Sequence, residues 1–139
     1  MSLDNTTILL VDDEAVQRNL MRQALQAEGY HVLESADYEE ALVVHERHLG
    51  DIDLLLIDLR LPGGNGYELS RTMLTLEPHL KVLFISGHAG SALCKFFEME
   101  VTDVHFLQKP FLAQDLVDRV RSVLETAALP NVSLRRNVS

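Results

Sequence analysis

Three aspartates fall where two apolar runs end. Asp58 closes Leu54-Leu55-Leu56-Ile57, and Asp12 and Asp13 close Ile8-Leu9-Leu10-Val11. Continuous apolar runs of this length suit strands of a parallel sheet covered on both faces. Carboxylates at the ends of such strands lie where open α/β sheets place their ligand crevice. Negative charges gathered there repel and raise one another's pKa values unless a cation holds them. The pattern points to a divalent metal bound around a reactive aspartate.

The elements that must position these acids alternate along the chain. A strand over 6–11 leads to a helix in which Val16, Leu20, Ala24 and Ala27 recur at helical spacing, with Gly29 as its stop. A short strand follows over 31–34. Asp37 and Glu40 then form a capping-box pattern, opening a helix that turns Tyr38, Ala41, Leu42 and His45 inward and ends at Gly50. The third and most apolar strand covers 52–57. Leu61-Pro62-Gly63-Gly64-Asn65-Gly66 is a turn-rich loop. Asn65 and Glu68 cap the next helix, whose Leu69, Met73 and Leu76 face the core until Pro78. Strands are expected over 81–85 and 104–107, with a helix over 91–98 between them. A final helix over 112–125 carries Leu112, Leu116, Val120 and Leu124 in register. Strand–helix alternation repeated in this way implies right-handed crossovers and a parallel sheet with helices on both faces. In the flavodoxin-like order 2-1-3-4-5, the first and third strands meet at the switch point with their acids side by side.

At 139 residues the chain suits one domain, expected over 1–126, with 127–139 as a tail or linker. A net charge of -9 argues against direct nucleic-acid binding and against anionic lipid surfaces. The single cysteine, Cys94, permits no internal disulfide and fits a reducing cytoplasm. No apolar stretch reaches membrane-spanning length.

Four segments together resemble the receiver domain of two-component response regulators, the chemotaxis response regulator among them. They are Val11-Asp12-Asp13-Glu14, Leu56-Ile57-Asp58-Leu59-Arg60-Leu61-Pro62-Gly63, Ile85-Ser86-Gly87 and Lys109-Pro110-Phe111. The likeness runs from about Thr7 to Thr126. It implies a (βα)5 doubly wound sandwich in which Asp58 accepts a phosphoryl group. The donor would be a histidine kinase or histidine phosphotransfer protein, with magnesium bound and manganese as an alternative ion. The chain would then be a signalling phosphoacceptor that catalyses its own phosphorylation and dephosphorylation, rather than an enzyme acting on a separate substrate.

The resemblance also distributes roles. Asp13 would ligate the metal directly, and Asp12 through water or directly. Asp58 and the backbone carbonyl of Arg60 would complete the protein's share of an octahedral oxygen set. Lys109 would pair with phosphoryl oxygens, aimed inward by a cis Lys109–Pro110 bond. Ser86 would donate its hydroxyl to the phosphoryl group, and Phe106 would swing as the switch aromatic. An ordinary half-buried core phenylalanine is the alternative at Phe106. Arg60 and His88 occupy positions that tune phosphoryl lifetime. Arg60 can pair with the phosphate or point into solvent, and His88 can titrate or sit exposed without a role.

Other functions fit less well. A phosphohydrolase of the haloacid dehalogenase type needs an acid two residues past its nucleophile, where this chain has Arg60. A flavodoxin-like cofactor binder lacks its phosphate loop, because Asp12-Asp13-Glu14 stands in that place. A degenerate receiver conflicts with the full set of acids, Ser86 and Lys109. The residues after Glu125 leave no room for a DNA-binding or catalytic output domain. Output is therefore expected through protein contact, or through a domain outside this sequence. By resemblance, the transmitting face combines the helix over 91–98, the last strand and the last helix. Leu93, Phe96, Phe97 and Met99 supply apolar material there.

Overall fold

The computed structural model describes residues 5–87 and 105–126. The elements in chain order are β1 (Thr7–Val11), α1 (Ala15–Ala27), β2 (His31–Ser35), α2 (Tyr38–Arg47) and β3 (Leu54–Asp58). A small hairpin of β4 (Arg60–Leu61) and β5 (Gly64–Asn65) precedes α3 (Gly66–Leu76). Then come β6 (Lys81–Ser86), β7 (Phe106–Gln108) and α4 (Ala113–Glu125). The main sheet is parallel, in the order β2-β1-β3-β6-β7. This is the expected doubly wound order, with β4 and β5 added as a separate antiparallel pair.

The alternation of side chains along each strand splits the core in two. Ile8, Leu10, Leu54, Leu56, Leu83 and Ile85 point to one face. There they meet Met21 and Leu25 of α1 and Leu116, Val120 and Val123 of α4. Leu9, Val11, Leu55, Ile57 and Phe84 point to the other face, against Ala41 of α2 and Leu69 and Met73 of α3. Every residue of β3 is buried, which is why its sequence is an unbroken apolar run. Each fully buried Leu or Ile contributes about 2 kcal/mol.

Helix ends follow their chemistry. Asp37 Oδ1 accepts from Glu40 N at 2.8 Å, while the Glu40 carboxylate accepts from Ala36 N. Asn65 Oδ1 accepts from Glu68 N at 2.8 Å. Gly29 and Gly50 take φ of 97° and 84°, the left-handed conformation that stops α1 and α2.

Three packing expectations are corrected. The buried stripe of α1 is Met21 and Leu25, whereas Val16 and Leu20 are 69% and 61% exposed. Both stripes have helical spacing, and the one packed against α4 and β2 becomes the core face. Leu76, at the last turn of α3, is exposed, and so is Leu112, which precedes α4. The expected helix over 91–98, the residues Leu93, Phe96, Phe97 and Met99, Cys94, and the segment 127–139 lie outside the described residues.

Candidate phosphoryl-transfer site

The parallel register brings the strand ends together. Val11 pairs with Ile57, Asp58 with Ile85, and Ser86 with Gln108. Each chemistry-bearing side chain therefore emerges at the carboxyl edge of the sheet, on neighbouring strands. The larger described cleft, about 750 Å³, lies at the opposite edge, lined by Thr6, Ile52, Asp53 and Lys81, so cleft size does not locate the acids.

Asp58 is 5% exposed. Its Oδ2 accepts from Lys109 Nζ at 2.7 Å, and its Oδ1 from Arg60 N at 2.9 Å. Burial alone would lower the Lys109 pKa. The hydrogen bond and charge of Asp58, with the charge of Asp12, outweigh it and raise the pKa. Lys109 N donates to Ser86 O at 2.8 Å, and the Lys109–Pro110 bond is cis.

Asp12 is fully buried just past β1. Its Oδ1 accepts from Glu14 N at 2.9 Å, while Oδ2 is buried with no hydrogen-bond partner. Burial pushes its pKa up to about 6. The Glu14 N–H and Lys109 pull it down, and the charges of Asp58 and Asp13 push it further up. Asp13 is exposed at the rim. A buried acceptor without a donor, beside two further carboxylates, is an environment a hard cation satisfies. Among the described residues no three His, Cys, Asp or Glu side chains stand close enough to cage an ion. Magnesium keeps several waters and needs only one or two carboxylates from the protein, so this donor set fits it.

Ser86 ends β6, buried, at the same edge. Phe106 begins β7, half-buried against the α2/α3 face, with its ring centroid 5.7 Å from that of Phe84. Arg119 of α4 donates to the Phe106 carbonyl. The Arg60 side chain is exposed, and its backbone N–H turns back to Asp58. His88 lies outside the described residues.

Sequence reasoning missed three supports. A Cβ on Gly66 would stand 2.4 Å from the Asp58 carbonyl oxygen, so only glycine lets α3 start against the β3 terminus. A Cβ on Gly64 would stand 2.6 Å from the Tyr38 ring, which lies over the loop after Asp58. The third support is Arg18, which donates to the Asp12 carbonyl. The glycine cluster between 63 and 66 carried a signal for the first two; the Arg18 contact had none.

The chain matches the response regulator receiver domain family over residues 8–121. It is 35% identical over 121 residues to the sensor kinase CckA of Brucella abortus, covering 87% of this chain and 13% of that protein. It is 34% identical over 121 residues to the response regulator receiver protein CpdR of the same organism, covering 86% of this chain and 98% of that one. Other curated relatives are matched over about half their length. Among solved structures, the receiver domain of the hybrid histidine kinase CckA superposes with a TM-score of 0.72 at 39% identity, covering 86% of this chain and 99% of that one.

Proposed function

The chain belongs to the response regulator receiver family, and from that premise we propose that Asp58 accepts a phosphoryl group from a histidine kinase or histidine phosphotransfer protein. The observation that carries this reading is the 2.7 Å contact of Lys109 Nζ with Asp58 Oδ2, next to a buried Asp12 oxygen that has no partner.

A carboxylate oxygen of Asp58 attacks phosphorus, and the phosphorus–nitrogen bond of the donor phosphohistidine breaks with its electron pair left on the imidazole. An aspartyl phosphate forms. A carboxylate is a weak nucleophile, so positioning and charge neutralisation supply most of the rate. Arg60 N and Lys109 Nζ fix the carboxylate before transfer. Lys109 then exchanges its carboxylate contact for the phosphoryl oxygens without leaving the site. Asp12, Asp13 and Asp58, with the Arg60 carbonyl, would hold magnesium (or manganese), which neutralises the oxygens of the transferring group.

Ser86 follows the phosphoryl group by hydrogen bonding to it, and Phe106 follows Ser86, shifting the populations of the surface they border. Arg60 and His88 tune the lifetime of the phosphoryl group. The switched surface would act through protein contact in the cytoplasm, on a partner or on an attached output domain.

Incubation with magnesium and acetyl phosphate or phosphoramidate, followed by intact mass, tests this reading. The wild type gains one phosphoryl group and Asp58→Asn gains none. No gain, or a gain indifferent to the substitution, removes the proposal.

A further inference from the structure

Asp12 presents four hydrogen-bonding groups, and the structure assigns three of them to named partners. Its N–H donates to Ser35 O at 3.1 Å, its Oδ1 accepts from Glu14 N at 2.9 Å, and its carbonyl accepts from Arg18 Nη1 at 2.6 Å. The fourth, Oδ2, is buried with no hydrogen-bond partner. Arg18 is itself held, its Nε 3.2 Å from Glu34 Oε1, while Arg22 Nε lies 3.1 Å from Glu34 Oε2. A guanidinium has rigid fork geometry, so one side chain can tie the β1 terminus to β2.

We propose that Arg18, anchored by Glu34, is a positioning residue that fixes the Asp12 backbone so that the acid pair presents a preformed oxygen site to the divalent metal. The inference rests on the phosphoacceptor reading above. Arg18 stands on α1, outside the four segments that carry the family likeness. Its action is indirect, through the backbone of a ligand rather than through the metal, and supports of this kind typically change metal affinity by 10- to 100-fold.

The sign of the effect separates positioning from charge. A cationic side chain near a cation site weakens binding by repulsion, so if charge dominated, removing Arg18 would tighten it. If positioning dominates, removal loosens it.

Manganese titration followed by electron paramagnetic resonance reads affinity on the full chain without any phosphorylation. Arg18→Ala is expected to bind manganese about tenfold more weakly than wild type. Glu34→Gln, which keeps the Arg18 charge and loosens its anchor, should also bind more weakly than wild type, by less than the roughly tenfold loss in Arg18→Ala because the guanidinium is retained. In phosphoramidate assays the half-saturating magnesium concentration should rise in both variants, with the rate at saturating magnesium little changed. Unchanged or tighter manganese binding in folded Arg18→Ala overturns the proposal. Should that variant fail to fold, unchanged binding in Glu34→Gln overturns it equally. A wild type that binds no manganese sinks the metal reading and this inference together, whereas normal wild-type binding with indifferent variants sinks this inference alone.

Discussion

Lys109 Nζ and Asp58 Oδ2 lie 2.7 Å apart although 51 positions separate them in the chain. The contact joins the residue after β7 to the last residue of β3, and β6 stands between those strands in the sheet. A half-buried ammonium is thereby held over a carboxylate cluster that would otherwise be purely repulsive.

Lys109→Met should slow phosphorylation by phosphoramidate about 100-fold, because the donor that meets developing charge is lost. It should also cost about 2 kcal/mol of stability, since a buried Asp58 oxygen is left without its donor. Stopped assays at saturating magnesium and chemical denaturation measure the two effects separately.

Metal-free protein should lose stability as pH rises through the Asp12 titration. Its carboxyl titrates at about 6 in the folded state against 3.8 for the ordinary group. Below the lower value both states are protonated and the group costs nothing. Between the two, the unfolded chain ionises while the folded one keeps its proton, so stability falls until about pH 6 and then levels. At about 1.4 kcal/mol per pH unit the loss is at most about 3 kcal/mol. Denaturation from pH 4 to 8 checks this, with Asp12→Asn flattening that segment and excess magnesium at pH 7 restoring the wild type.

Gly66→Ala should be destabilised by about 2 kcal/mol or more and should phosphorylate poorly. The added methyl would stand 2.4 Å from the Asp58 carbonyl oxygen and 3.0 Å from Leu59 Cα, both backbone atoms that cannot move alone. Thermal denaturation and intact mass after phosphoramidate treatment report the two outcomes.

His45→Leu gives the opposite separation of effects. Buried His45 Nε2 donates to Glu77 Oε1 at 2.6 Å, joining the carboxyl ends of α2 and α3 away from the acids. Its loss leaves Glu77 short of a donor and should cost about 2 kcal/mol. The phosphorylation rate of the folded variant should match wild type.

Much of this arrangement was legible in the sequence because strand ends carry a one-dimensional signal. Leu54-Leu55-Leu56-Ile57 announced a strand buried on both faces, and the acid after it announced the edge where Asp58 meets Lys109. The caps at Asp37 and Asn65 and the stops at Gly29 and Gly50 were equally local. The α1 stripe was not legible, because Val16/Leu20 and Met21/Leu25 both satisfy helical spacing and only packing against β2 and α4 chooses between them. The same holds for Leu76 and Leu112, whose apolar character suits a core that ends one turn short of them. Arg18 over Asp12, Tyr38 over Gly64 and His45 on Glu77 are contacts between elements, and no spacing rule encodes them.

Reductive trapping identifies the residue that becomes phosphorylated. Wild-type protein treated with phosphoramidate and magnesium is reduced with borohydride, which converts an aspartyl phosphate to homoserine, and is then mapped by peptide mass. Homoserine is expected at position 58 and nowhere else. Homoserine at position 12 or 13, or a borohydride-resistant phosphoryl group on a serine or histidine, would contradict it.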